Sequence, residues 1–166
     1  MLTICIFPIL FIFKNQSSII MQKLSLSLLL IFTLGASYSQ NIMDFKIKTA
    51  SNSADRTMML DILRGKLYET YHQEFVFVVN HFKTGNGYAW FMGQVARKDG
   101  KELRIQYDKN GEWNGLDCCH VETLFKKSGG KWYIVESGEF STDLWYAGIS
   151  NRYPYAPRGI FNEGAY

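Results

Sequence analysis

The sequence predicts an α+β domain: one long N-terminal helix packed on a curved antiparallel sheet, a meander of about five strands, then a short C-terminal helix and an irregular tail. Three observations predict it. Apolar residues between Asp55 and His72 recur three and four apart, and from Phe75 onward the apolar period falls to two. Short clusters of Asn, Asp and Gly separate the period-two runs. A helix followed by consecutive strands, rather than alternating with them, reads as α+β.

The chain is expected to open with a leader. From Met21 it reads MQKLSLSLLLIFTLGASYSQ: a basic start, an apolar stretch Leu24–Leu34, then small residues at Ser37 and Ser39. That three-part order is a secretory signal, with the true start at Met21 and the cut near Ser39. The apolar stretch is short of the about 20 residues a membrane span needs, so no span is expected in the mature chain. The domain assignment is therefore 1–39 leader and 40–166 a single α+β domain, exported to the periplasm or the extracellular space.

Asn41–Ser53 reads as a strand or a loose arm. Ser51, Asn52 and Ser53 offer an N-cap, with Asp55 near the positive helix end. Met59, Ile62, Leu63, Leu67 and Tyr71 then form one helical stripe, with Gly65 weakening its middle by about 1 kcal/mol relative to Ala. The strands are expected at Phe75–Phe82, Tyr88–Arg97, Leu103–Tyr107, Cys118–Phe125 and Trp132–Ser137, with turns at Gly85-Asn86-Gly87, Asp99-Gly100, Asn110-Gly111 and Lys126–Lys131. Ser141 or Thr142 would cap a short helix holding Leu144, Trp145 and Ile149. The tail RYPYAPRGIF is irregular because of Pro154 and Pro157.

Charge narrows the function. The leader holds two of the 18 basic residues, Lys14 and Lys23, and none of the 15 acidic ones, so the remainder is nearly neutral. No basic footprint for nucleic acid remains.

The stretch GLDCCHVE, Gly115–Glu122, carries the densest chemistry. In a strand beginning at Cys118, alternation puts Cys118, His120 and Glu122 on one face and Cys119, Val121, Thr123 and Phe125 on the other. Cys119 then joins the aromatic core as a small hydrophobe. Same-face neighbours lie about 7 Å apart along a strand, long for a relay of nucleophile, base and orienter that needs contacts near 3 Å. Cys118 stays open between a free thiol, a catalytic nucleophile beside His120, an intermolecular bridge and a bridge to Cys119 that would demand a distorted backbone. A zinc site needs three or four ligands, and His72 or His81 would have to approach to complete one; no metal and no cofactor are expected.

Two further constellations stand out. Glu136, Glu139 and Asp143 could supply an acid and a base if one sat in an apolar pocket; the plainer reading makes Asp143 a first-turn acid and Glu139 a loop residue. Trp145, Tyr146, Tyr153, Tyr155 and Phe161 lie near Arg152 and Arg158, which either plugs the open end of the sheet or presents a stacking surface with a cationic handle.

Several strings also resemble a family of small exported bacterial proteins with no assigned activity. They are Gly87-Tyr88-Ala89-Trp90, Arg97-Lys98-Asp99-Gly100, Val121-Glu122-Thr123-Leu124-Phe125-Lys126, Gly130-Lys131-Trp132-Tyr133-Ile134-Val135-Glu136, Thr142-Asp143-Leu144-Trp145 and Pro157-Arg158-Gly159-Ile160-Phe161. The helix-and-sheet layout is similar to the cone of cystatin-like and nuclear-transport-factor-like folds, which often hold a pocket between helix and sheet. The resemblance transfers no catalytic residue.

The functional expectation is a non-enzymatic ligand-binding or interaction domain, with Trp90, Trp132, Trp145 and Arg158 as ligand-binding candidates. Its partner would be a small molecule, a glycan or a protein of the cell envelope. The alternative is a small hydrolase or isomerase using Cys118 and His120, or Glu136 and Asp143, in the helix–sheet cleft.

Overall fold

Two tight turns organise the sheet. Asn86 and Gly87 have φ of 48° and 72°, and Gly129 and Gly130 have 56° and 77°. Two consecutive positive-φ residues make a turn whose twist matches that of the flanking strands, so each pair closes a two-residue hairpin. In the computed structural model, which describes residues 41–103, 105, 110–113 and 115–166, these hairpins join β2 (Phe75–Gly85) to β3 (Tyr88–Arg97) and β4 (His120–Ser128) to β5 (Lys131–Glu139). A two-residue β1 (Met43–Asp44) completes an antiparallel sheet of order β1-β2-β3-β4-β5. The leader expected at residues 1–39, with its start at Met21 and cut after Ser39, lies outside the described residues.

The expected fold class is corrected by this arrangement. The described chain is mostly a five-stranded antiparallel sheet, and no long helix opens it: it opens with β1, and the one helix longer than a single turn, α1 (Ser53–Tyr71), comes second. β1 forms because Phe45 is buried in the core and its N–H bonds the Phe82 carbonyl, which lays Met43 and Asp44 against Thr84 and Lys83. The strand expected at Leu103–Tyr107 falls partly outside the described residues, and among the described strands β4 pairs directly with β3. Leu103 and Ile105 are buried without being strand residues, and Tyr107 lies outside the described residues. The C-terminal helix does not start at Ser141 or Thr142. Ser141 Oγ accepts from the Asp143 N–H to close a local turn, and the helix is the single turn α2 (Ile149–Arg152).

Strand alternation sends side chains to two cores. Against α1 lie Phe82, Phe91, Val95, Val121, Phe125 and Trp132, packed with Met59, Leu63 and Leu67. On the opposite face Trp90 and Leu124 meet Tyr146, Ile149, Ile160 and Phe161 of the C-terminal segment. Trp90 is fully buried, its ring 5.6–6.1 Å from those of Trp145, Tyr146 and Phe161, and its indole N–H donates to Asn162 Oδ1 at 3.0 Å. His81 Nε2–H donates to the Ile160 carbonyl at 2.6 Å. The tail covers this face only in part, since Val76, Val78 and Gln94 remain exposed on it. Ion pairs Lys66–Glu139 and Lys127–Asp55 fasten α1 to β5 and β4. Among the described residues, no helix is long and apolar enough to cross a membrane.

Candidate functional site

β4 begins at His120, so the alternation expected from Cys118 starts two residues late. Cys118 and Cys119 precede the strand, are joined by a disulfide across a cis peptide bond, and both pack against the α1-side core. Cys118 is therefore neither a free thiol nor part of a relay with His120. Cys119 is only half-buried, although its carbonyl accepts the Val95 N–H at 2.8 Å.

His120 and Glu122 do share a face, and they touch. Register places Glu122 between Met92 of β3 and Gly138 of β5. Its carboxylate is buried, the residue being 4% exposed, and Oε1 sits 2.9 Å from His120 Nδ1. A carboxylate accepts, so Nδ1 carries the proton. The Trp145 indole N–H donates to Oε2 at 3.3 Å. Gly138 makes that contact feasible: a Cβ there would fall 1.9 Å from Trp145 Nε1. The indole lies flat where the strand has no side chain. Burial first, and then the Glu122 charge, push the neighbouring Tyr146 hydroxyl up. His120 Nε2 has no hydrogen-bond partner among the described residues; the Asp117 carboxylate stands 3.7 Å away.

The remaining expected site residues scatter. Trp90 and Trp132 lie on opposite faces of the sheet, one under the tail and one under α1, so Trp90, Trp132 and Trp145 line no common cleft. Arg158 sits exposed on the tail with its guanidinium 5.3 Å from the Tyr166 ring centroid. Glu136 is held by Arg152 at 3.0 Å on the tail face, Glu139 pairs with Lys66 on the α1 face, and Asp143 is exposed in its turn. They form no acid–base pair. His72 caps the C-terminus of α1 and His81 bonds the tail; among the described residues no three His, Cys, Asp or Glu side chains converge as metal ligands.

One concavity is not announced by the sequence pattern. A groove of about 520 Å³ runs where the end of α1 meets the start of β2 and the end of β3, lined by Arg64, Gly65, Tyr68, Gln73, Phe75 and Lys98 among others. The buried side-chain oxygen of Gln73 has no hydrogen-bond partner among the described residues. Arg64 pairs with Asp61 and lies over Phe77, and Lys98 pairs with Glu74, so the rim charges are balanced. Gly65 was the one available signal. A helix-interior glycine costs about 1 kcal/mol, yet an added Cβ here would meet nothing within 4 Å, so packing does not explain it. Compared with protein-family models, curated proteins and solved structures, the chain matches none.

Proposed function

We propose that this chain is an exported ligand-binding domain of the periplasm or the extracellular space, seating a small carbohydrate-like molecule in the groove between α1 and β2. The groove is the observation that carries this reading. Its volume falls within the about 300–1,000 Å³ typical of small-molecule sites. Tyr68 offers a half-exposed ring for a sugar face, and Phe75 and Val76 supply apolar wall. Bare backbone at Gly65 lets a ligand lie against the helix itself.

The Cys118–Cys119 bond supports the export half of the reading, because disulfides form and persist in oxidising compartments. The resemblance to a family of small exported proteins points the same way. A second reading, a small hydrolase or isomerase, is favoured by one observation, the Glu122-anchored imidazole of His120.

The test is a thermal-shift screen of the purified mature chain against a panel of mono- and oligosaccharides. A binder present at a hundredfold excess over its Kd should add about 2.7 kcal/mol, roughly a 10 °C rise in Tm. Tyr68→Ala, at a half-exposed position, should abolish the shift while leaving the unliganded Tm nearly unchanged. A shift that survives both Tyr68→Ala and Gly65→Leu places the ligand elsewhere and defeats the proposal, as does a silent panel.

A further inference from the structure

We propose that His120 is a general base, taking a proton through Nε2 from a neutral, flat, weakly acidic molecule docked on the uncovered part of the outer sheet face. The proposal stands apart from ligand binding in the α1–β2 groove and rests on the enzymatic second reading, to which it gives a base and a substrate class.

Three features of the geometry point to it. First, the imidazole is oriented from behind. The buried Glu122 carboxylate takes the Nδ1 proton, and it is itself fixed by the Trp145 indole lying over Gly138. An imidazole held by a carboxylate at one nitrogen presents a lone pair at the other. Second, the other nitrogen has no hydrogen-bond partner among the described residues: the His120 side chain is 33% exposed, and the Asp117 carboxylate stands 3.7 Å from Nε2, beyond hydrogen-bond reach. Third, the surface in front of it sets a polar amide beside the ring and apolar side chains beyond it. Gln94 pairs with His120 across β3 and β4, and Val78 pairs with Gln94 across β2 and β3. Val78 is 55% exposed, and Met92 is partly covered by the tail cluster, whose cover stops there.

The same geometry sets the substrate class. Asp117 stands 3.7 Å from Nε2, and Glu122 lies behind the ring. Two carboxylates disfavour an anionic substrate by like-charge repulsion. Val78 and Met92 favour a flat apolar body, and the Gln94 amide can bond a polar edge. In the transfer, the substrate's C–H or O–H bond breaks, the proton bonds to Nε2 and the electron pair stays on the substrate. The imidazolium so formed is stabilised by Glu122 through the Nδ1–H. Glu122 is thus a positioning residue that never touches the substrate.

A nitrobenzisoxazole serves as the probe. It is neutral, flat and apolar, and loss of its ring C–H proton to a base breaks its N–O bond and releases a coloured cyanonitrophenolate. Positioned bases contribute about 10²–10⁴ in rate, so His120→Gln should lower the rate of probe cleavage by roughly a hundredfold. Glu122→Gln should lower it by about tenfold, and nitrogen NMR should show the His120 proton redistributed between Nδ1 and Nε2, which a merely structural carboxylate would not cause. Gln94→Ala, an exposed change, keeps the test open if the Glu122 variant fails to fold: it should raise KM for the probe and leave kcat unchanged. Ile47→Ala, an exposed change ahead of α1, should leave the rate as it is. Cleavage that is equal in the parent chain and in His120→Gln overturns the proposal, as does a parent His120 with its proton on Nε2 rather than Nδ1.

Discussion

Replacing Gly138 by alanine tests whether the Glu122–Trp145 contact is built on a missing side chain. The new Cβ would lie 1.9 Å from Trp145 Nε1 and 2.4 Å from both Cδ1 and Cε2. Ordinary contact distances are about 3.5–4.0 Å, so the indole must lift by roughly 1.5–2 Å or rotate away. The Trp145–Glu122 hydrogen bond, 3.3 Å in the native chain, cannot survive that movement. A hydrogen bond to a charged partner contributes about 1.5–3 kcal/mol, and the weakened ring contact with Trp90 adds about 0.5–1 kcal/mol. Alanine recovers about 0.5–1 kcal/mol through its lower backbone entropy. The net loss is about 2–3 kcal/mol, which for a domain of this size lowers Tm by roughly 10 °C.

The assay is thermal unfolding by far-ultraviolet circular dichroism, with near-ultraviolet dichroism reporting the tryptophan environment. Gly65→Ala is the matched control. It is the same chemical change at a position where the Cβ meets nothing within 4 Å, and it should raise stability by up to about 1 kcal/mol. Opposite signs for the two substitutions are expected. A Gly138→Ala chain that melts within about 2 °C of the parent, with an unchanged tryptophan spectrum, would refute the reasoning.

Two other expectations follow from the same physics. Burial pushes the His81 imidazole below its ordinary range, more than its hydrogen bond to the Ile160 carbonyl pushes it up. A group depressed in the folded state contributes stability that is present above its unfolded value, about 6.5, and lost as pH falls through the folded value; urea titrations should therefore show stability falling on acidification below that point, and His81→Gln should flatten the dependence. The export proposal predicts that the secreted protein begins at Gln40 and reacts with no alkylating agent until reduced; a thiol that alkylates without reductant would count against the disulfide.

Local periodicity made part of the molecule legible. The stripe from Met59 to Tyr71 marks α1, and Asn86-Gly87 and Gly129-Gly130 mark turns whose positive φ values those residues accept readily. Relations between elements were not legible in the same way. Two residues at an exposed edge carry too little pattern to announce β1, and Leu103 and Ile105 alternate in period two yet are buried outside the assigned strands. Trp90 pairs with Leu124 across β3 and β4, while Trp132 pairs with Lys127 across β4 and β5. Positions 124 and 127 are an odd number apart, which sends the two indoles to opposite faces, but only the β3–β4 register reveals it. The groove is harder still, since Arg64, Gln73 and Lys98 meet only once the ends of α1, β2 and β3 are brought to one corner.

Both candidate sites lie where a cover ends, and the energetics of polar groups explain why. On the α1 face the groove opens at the end of the helix, and on the other face His120 stands just beyond the tail's last ring, Trp145. A carboxylate moved two residues further under the tail, to the place of Leu124 on the same face, would lose its imidazole partner and be buried against Trp90, at a desolvation cost of several kcal/mol. Moved outward to the place of Gln94, it would be solvated and would orient nothing strongly, because exposed pairs contribute about 0–1 kcal/mol. Position 122 satisfies both demands: it is covered enough for the interaction with His120 to be strong, and near enough to the margin for the far nitrogen of that ring to meet solvent. The margin is held in place by the absence of a side chain at Gly138, so the chemistry on this face depends on a residue that contributes no functional group.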